Sequence, residues 1–182
     1  MKNTLVLLPF LVVLFALSAI AEAQRPADPE NHGTLVKFQG GIGVIPVASA
    51  VGQAPTATVV NRNIVRGVQP AGQIWVISAL TADVKADGRI HVDGKGLLLG
   101  GGILIGFTAN ASVFATLICE AVAPFTERST NAVGVALEPD GDFRIDDVLV
   151  PAPPAVCDSP VLLIRVTGAN PGWFAAGIPR QN

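Results

Sequence analysis

From Thr34 onward the chain is built from short apolar runs separated by turn residues. They fall at 35–38, 44–47, 58–60, 74–77, 89–92, 97–99, 103–107, 113–119, 133–137, 143–145 and 161–166. No window sustains an apolar repeat of 3.6 residues, and β-branched or aromatic side chains recur in most runs, so the pattern predicts about eleven strands and an all-β fold. Strands this short and this closely spaced predict a single-domain antiparallel β-sandwich, with a small β-barrel as the alternative. After Gly88, Ile90 and Val92 alternate with His91 and Asp93, which marks a strand with one face buried and one face wet. The runs 97–99 and 161–164 do not alternate; they are expected to be covered on both faces or to meet a second protomer. Segment 111–121 mixes helix formers with Val113, Thr116 and Ile118, and strand is preferred because Val113, Ala115, Leu117 and Cys119 then share one face.

The turn chemistry is explicit. Asp87-Gly88, Asp93-Gly94 and Asp140-Gly141 stand beside alternating apolar residues, and each pair is expected to form a tight hairpin turn. Gly40-Gly41-Ile42-Gly43 and Gly100-Gly101-Gly102 lead into no helical pattern, and no Gly-Lys-Ser/Thr follows them. They are expected to be bulges or bends rather than phosphate cradles. Pro151, Pro153 and Pro154 predict an extended crossover before Cys157.

The first residues bear on compartment. Lys2, an apolar stretch from Leu5 to Ile20 and Ala21-Glu22-Ala23 form the pattern of a secretory signal peptide over 1–23. The stretch is shorter than the roughly 20 residues a spanning helix needs and contains Pro9. The expected organisation is therefore a leader, a polar and flexible lead-in over 24–33, and one β-sandwich domain over 34–182, in a protein that is secreted or periplasmic and has no membrane contact once the leader is removed. In an oxidising compartment Cys119 and Cys157 are expected to form a disulfide that stabilises the fold by about 3 to 4 kcal/mol.

Composition narrows the partners. Half the residues are hydrophobic and 14% are charged, against about 25% charged in an average soluble domain. The net charge of −2 comes with no basic stripe, which excludes nucleic acid as the expected partner. Low charge combined with non-alternating strands points to a homo-oligomer or to an extracellular protein or glycan partner.

Between Ala115 and Ile164 the order is a strand ending in Cys119, Ser129-Thr130, Val135-Ala136-Leu137, Asp140-Gly141-Asp142-Phe143-Arg144-Ile145, and Cys157 before Val161-Leu162-Leu163. This order resembles small extracellular β-sandwiches of the transthyretin-like kind. The resemblance implies a sandwich and carries no function.

Candidate chemistry is sparse. Glu138, Asp140, Asp142, Asp146 and Asp147 offer carboxylate oxygens, and Glu138, Asp140 and Asp142 are the candidate Ca²⁺ ligands, although their spacing is not that of an EF-hand and a solvated hairpin tip explains them as well. Asp83, Asp87 and Asp93 are read in the same way. His91 and Asp93 project to the same face, two residues apart, and have the residue types for acid–base work or binding. No Gly-x-Ser-x-Gly elbow occurs, and the only other histidine after the leader is His32. Trp75 is expected in the core, whereas Trp173, after Asn170-Pro171-Gly172, is a candidate exposed platform for a sugar ring. Asn110-Ala111-Ser112 is a glycosylation acceptor in a eukaryotic host. No catalytic residue and no cofactor is assigned. The sequence reading is a non-catalytic structural or binding module that self-associates, with a small sugar-binding module or hydrolase using the Asp-rich tips, His91 or Trp173 as the alternative.

Overall fold

A computed structural model describes residues 33–51 and 58–180. The expected leader, and the lead-in as far as His32, lie outside the described residues. Strands β1 (Thr34–Gly43), β2 (Val47–Val51), β3 (Thr58–Arg62), β4 (Trp75–Val76), β5 (Ala79–Lys85), β6 (Arg89–Lys95) and β7 (Leu98–Leu99) make up the first half of the chain. The second half contributes β8 (Ser112–Ile118), β9 (Arg128–Ser129), β10 (Val135–Ala136), β11 (Phe143–Val148), β12 (Val161–Val166) and β13 (Trp173–Pro179). The fold is all-β and antiparallel, with no helix among the described residues.

The main sheet has nine strands, running β10, β8, β12, β13, β1, β5, β6, β11, with β9 attached to β8. It nearly closes on itself. Ser129 in β9 pairs with Thr116 of β8, and its backbone also exchanges hydrogen bonds with Val150, just beyond β11, at 3.0 and 2.9 Å. The Asn131 amide adds a bond to the Asp147 carboxylate at 2.8 Å. A short bridging strand thereby joins the two ends of the sheet, satisfying edge groups that an open sandwich would leave free. Two small ribbons, β2 with β3 and β4 with β7, stand outside the main sheet.

Period-two alternation explains one side of the barrel. Leu80, Ala82 and Val84 of β5, Ile90 and Val92 of β6, and Phe143 and Ile145 of β11 all point into the core, and the residues between them face water. β8 and β12 are buried on both faces, as their unbroken apolar runs require. The outer face of β12 buries Arg165, whose guanidinium lies 5.4 Å from the Phe114 ring, donates to the Pro171 carbonyl at 2.9 Å and pairs with Glu127. Those contacts account for a cation in an apolar run. Trp75 stacks on Phe174 with ring centroids 3.9 Å apart, placing Trp75 in the core as expected. Cys119 and Cys157 are bonded and tie the end of β8 to the proline-rich crossover.

Three local expectations are corrected. Asp93-Gly94 makes no hairpin; it lies inside β6, where the ideal Cβ position on Gly94 would fall 2.0 Å from Phe143 Cε1. The glycine is there so that an aromatic ring can cross the strand. Residues 103–107 form a hydrogen-bonded loop rather than a strand. β5 and β13 are regular strands the apolar pattern did not single out, because both are rich in alanine, threonine or glycine rather than β-branched aliphatics. Asp87-Gly88 and Asp140-Gly141 do turn the chain, with φ of 90° at Gly88 and 84° at Gly141. Gly40 lies at an irregularity in the pairing of β1 with β13, as a bulge glycine should.

Candidate functional site

The wet face of β5, β6 and β11 carries most of the organised charge. Antiparallel register sets Asp83 of β5 beside His91 of β6 and His91 beside Asp146 of β11. The same register sets Asp93 beside Arg144. His91 Nε2 lies 2.6 Å from Asp93 Oδ2, and Nδ1 is bonded to Asp146 Oδ1. Asp146 also accepts from Arg144 Nε at 2.8 Å. Both acceptors facing the imidazole are carboxylates, so the two bonds are made together when both ring nitrogens donate, which is the imidazolium form that the pair of carboxylates favours.

Titration behaviour follows from this arrangement. The hydrogen bond His91 donates to Asp146 is the main cause raising the His91 pKa above its usual value; partial burial opposes it and Asp93 reinforces it. Asp146 is held below the usual carboxylate range by Arg144 first and His91 second. Burial works against Asp83, yet the Lys85 and Thr34 hydrogen bonds leave its pKa lowered overall.

The cluster opens onto a cleft of about 530 Å³ whose polar lining includes Asp83, Lys85, Arg89, His91 and Asp146. A general base needs a free lone pair directed at the substrate. In His91 each nitrogen is instead committed to a carboxylate, so the geometry is that of a cross-strand clamp joining β6 to β11.

The other sequence candidates are distributed around this face. Asp93, Glu138 and Asp142 line a neighbouring cleft of about 480 Å³ together with Lys95 and Arg144. Asp142 is already used, accepting from Lys95 Nζ at 2.7 Å and from the Gly96 amide at 3.0 Å. Its pKa is lowered chiefly by Lys95. Asp140 accepts from the Asp142 amide at 3.1 Å, the bond of a turn-forming aspartate. Among the described residues no group of three His, Cys, Asp or Glu side chains is placed to hold a metal ion. Trp173 is buried, and its indole N–H donates to the Asn63 carbonyl at 3.1 Å. The expected exposed platform for a sugar ring is therefore corrected: the preceding Asn-Pro-Gly does not end the fold, and Trp173 opens the interior strand β13.

A second feature was missed by the sequence reading because 103–107 was taken for a strand. Ile103 is 99% exposed, Phe107 63%, Ile105 62% and Leu104 49%. At the base of this loop the Gly100 amide donates to the Ile74 carbonyl at 2.8 Å, which brings the exposed side chains of Ile74 and Val76 alongside. Charge is absent from stretches 38–61, 67–82 and 96–119. The bond from the Trp75 amide to the Val44 carbonyl at 3.1 Å and that from Gly100 to Ile74 join the three stretches at this place. Ile103, Leu104, Ile105 and Phe107 thus lie together on an uncharged loop, whereas other exposed aliphatics are scattered, Val148 among the charges of the His91 cleft.

Comparison of the chain with protein-family models, with curated proteins and with solved structures gave no match. The disulfide suits an oxidising compartment, and among the described residues no helix is long and apolar enough to cross a membrane.

Proposed function

We propose that the protein is an exported, non-catalytic β-rich module that works by association through the uncharged, apolar part of its surface. The observation that carries this reading is the exposed cluster of Ile103, Leu104, Ile105 and Phe107 on a hydrogen-bonded loop flanked by Ile74 and Val76. Exposed apolar groups gathered in one patch mark an interaction surface, whereas single exposed aliphatics need no explanation. The commitment of both His91 nitrogens supports a non-catalytic role, since this ring has no free base to offer.

Two measurements test the reading. Retention of the purified, oxidised protein on a phenyl matrix is expected to fall clearly in Ile103→Asp while the melting temperature stays unchanged, because Ile103 packs against almost nothing. A panel of ester, glycoside and peptide substrates is expected to give no turnover that distinguishes the protein from His91→Gln. Unchanged retention, or turnover that disappears with His91, would overturn the proposal.

A further inference from the structure

We propose that loop 100–107 is a membrane-docking element that places Ile103, Leu104, Ile105 and Phe107 in the interfacial layer of a lipid bilayer, without requiring anionic headgroups. This rests on the reading that the chain works through its apolar surface, and it names the occupant. It also departs from the sequence expectation of no membrane contact once the leader is removed.

The first support is how the loop is held. Leu97 and Leu99 are buried in the core, so the loop springs from a fixed base. The Leu99 amide donates to the Phe107 carbonyl and the Gly106 amide to the Leu99 carbonyl, both at 2.9 Å. Within the loop the Ile105 amide donates to the Gly102 carbonyl at 3.3 Å and the Phe107 amide to the Leu104 carbonyl at 3.1 Å. Gly102 and Gly106, at φ of 77° and 83°, supply backbone turns that residues with side chains rarely adopt. The apolar side chains are therefore held outward instead of folding back, and several backbone groups are already paired, as entry into a water-poor layer requires.

The second support is the chemistry around the loop. A specific protein interface has a polar rim whose hydrogen bonds and charges set register. The three stretches that meet here contain no charged residue. A projecting tip without charge is matched by the acyl–headgroup boundary, which accepts apolar area without shape complementarity or partner donors. The lack of Lys and Arg removes the usual attraction to anionic lipid, so uncharged phosphatidylcholine should suffice. The ion pairs Asp83–Lys85, His91–Asp93 and Arg144–Asp146 lie on the β5, β6 and β11 face, whereas Lys95–Asp142 stands at the foot of the loop, where the Leu97 amide donates to the Gly141 carbonyl; residues 100–107 themselves carry no charge.

The test is flotation of the full, disulfide-bonded protein with phosphatidylcholine vesicles and with vesicles that also contain phosphatidylserine. Flotation with both is expected. Ile103→Asp and Phe107→Asp are each expected to reduce the bound fraction at least about tenfold, since a carboxylate is poorly accepted at that depth. As a positive readout, Ile103→Trp should shift its emission to the blue on addition of vesicles, because Trp75 and Trp173 are buried and contribute a constant background. Absence of flotation with phosphatidylcholine, flotation indifferent to Ile103→Asp, or unchanged emission from Ile103→Trp would each overturn the proposal. A concentration-dependent dimer that Ile103→Asp dissolves, without flotation, would make a second copy the occupant and leave the association reading standing. Failure of flotation together with phenyl-matrix retention indifferent to Ile103→Asp would remove both.

Discussion

His91 shows how the meaning of one residue depends on what stands across from it. With Asp93 it has the types of an acid–base couple, and their common face follows directly from strand alternation. Asp146 converts the pair into a clamp, and nothing local to His91 announces it, since β6 and β11 are separated by the whole of β7 to β10. The pH consequence has a definite sign. The folded His91 pKa is raised above the ordinary histidine value of 6.5, so its stabilising contribution is fully present below 6.5 and is lost as pH rises through the raised folded value. Asp146 has a lowered pKa relative to 3.8, so its contribution is present above 3.8 and is lost as pH falls through the lowered value. The difference in melting temperature between the protein and His91→Gln is therefore expected to be largest between those limits, in mildly acidic solution, and to shrink towards alkaline pH. A difference that grows with pH would refute the imidazolium. Trp173 teaches the same lesson in reverse: a turn sequence before it suggested exposure, and a backbone carbonyl from Asn63 fixes it inside.

At the scale of elements, alternation and turn chemistry were readable where each strand has one wet face. β6 and the turn at Gly88 follow from Ile90, Val92 and the Asp-Gly pair without tertiary information. β13 did not, because Phe174-Ala175-Ala176-Gly177 has neither alternation nor β-branched residues, and it is a strand because β12 and β1 flank it. Gly94 was read as a turn glycine and serves as clearance for Phe143. Gly94→Ala is expected to cost roughly 1 to 3 kcal/mol in denaturant unfolding, through overpacking. Phe143→Leu in the same chain should recover part of that loss, so that the two changes are non-additive. Equal and additive losses would mean that the ring is not what the glycine accommodates.

For the molecule as a whole, the disulfide and the bridging strand β9 act on the same problem, holding the β8 end of the sheet to the rest. Cys119 and Cys157 are 38 residues apart, and by the chain-entropy argument Cys119→Ser with Cys157→Ser should lower stability by about 3 to 4 kcal/mol. The same unfolding measurement on the reduced protein checks it, and a loss under about 1 kcal/mol would show that the denatured chain gains little freedom when the link is removed. At this scale ion pairs gather on the β5, β6 and β11 face and four exposed apolar side chains gather on the loop above Leu99, while Val133 and Val148 are exposed beside the charged groups. The sequence by itself determined the all-β class, the cysteine pair, the wet face of β6 and the uncharged stretches, because these depend on residue type and on periods of two that each segment carries alone. Only the tertiary structure decided that the sheet nearly closes, that His91 is held from both sides, that Trp173 is interior and that 103–107 projects into solvent. Each of those depends on register between segments distant in the chain, and register is set by the packing of the whole core.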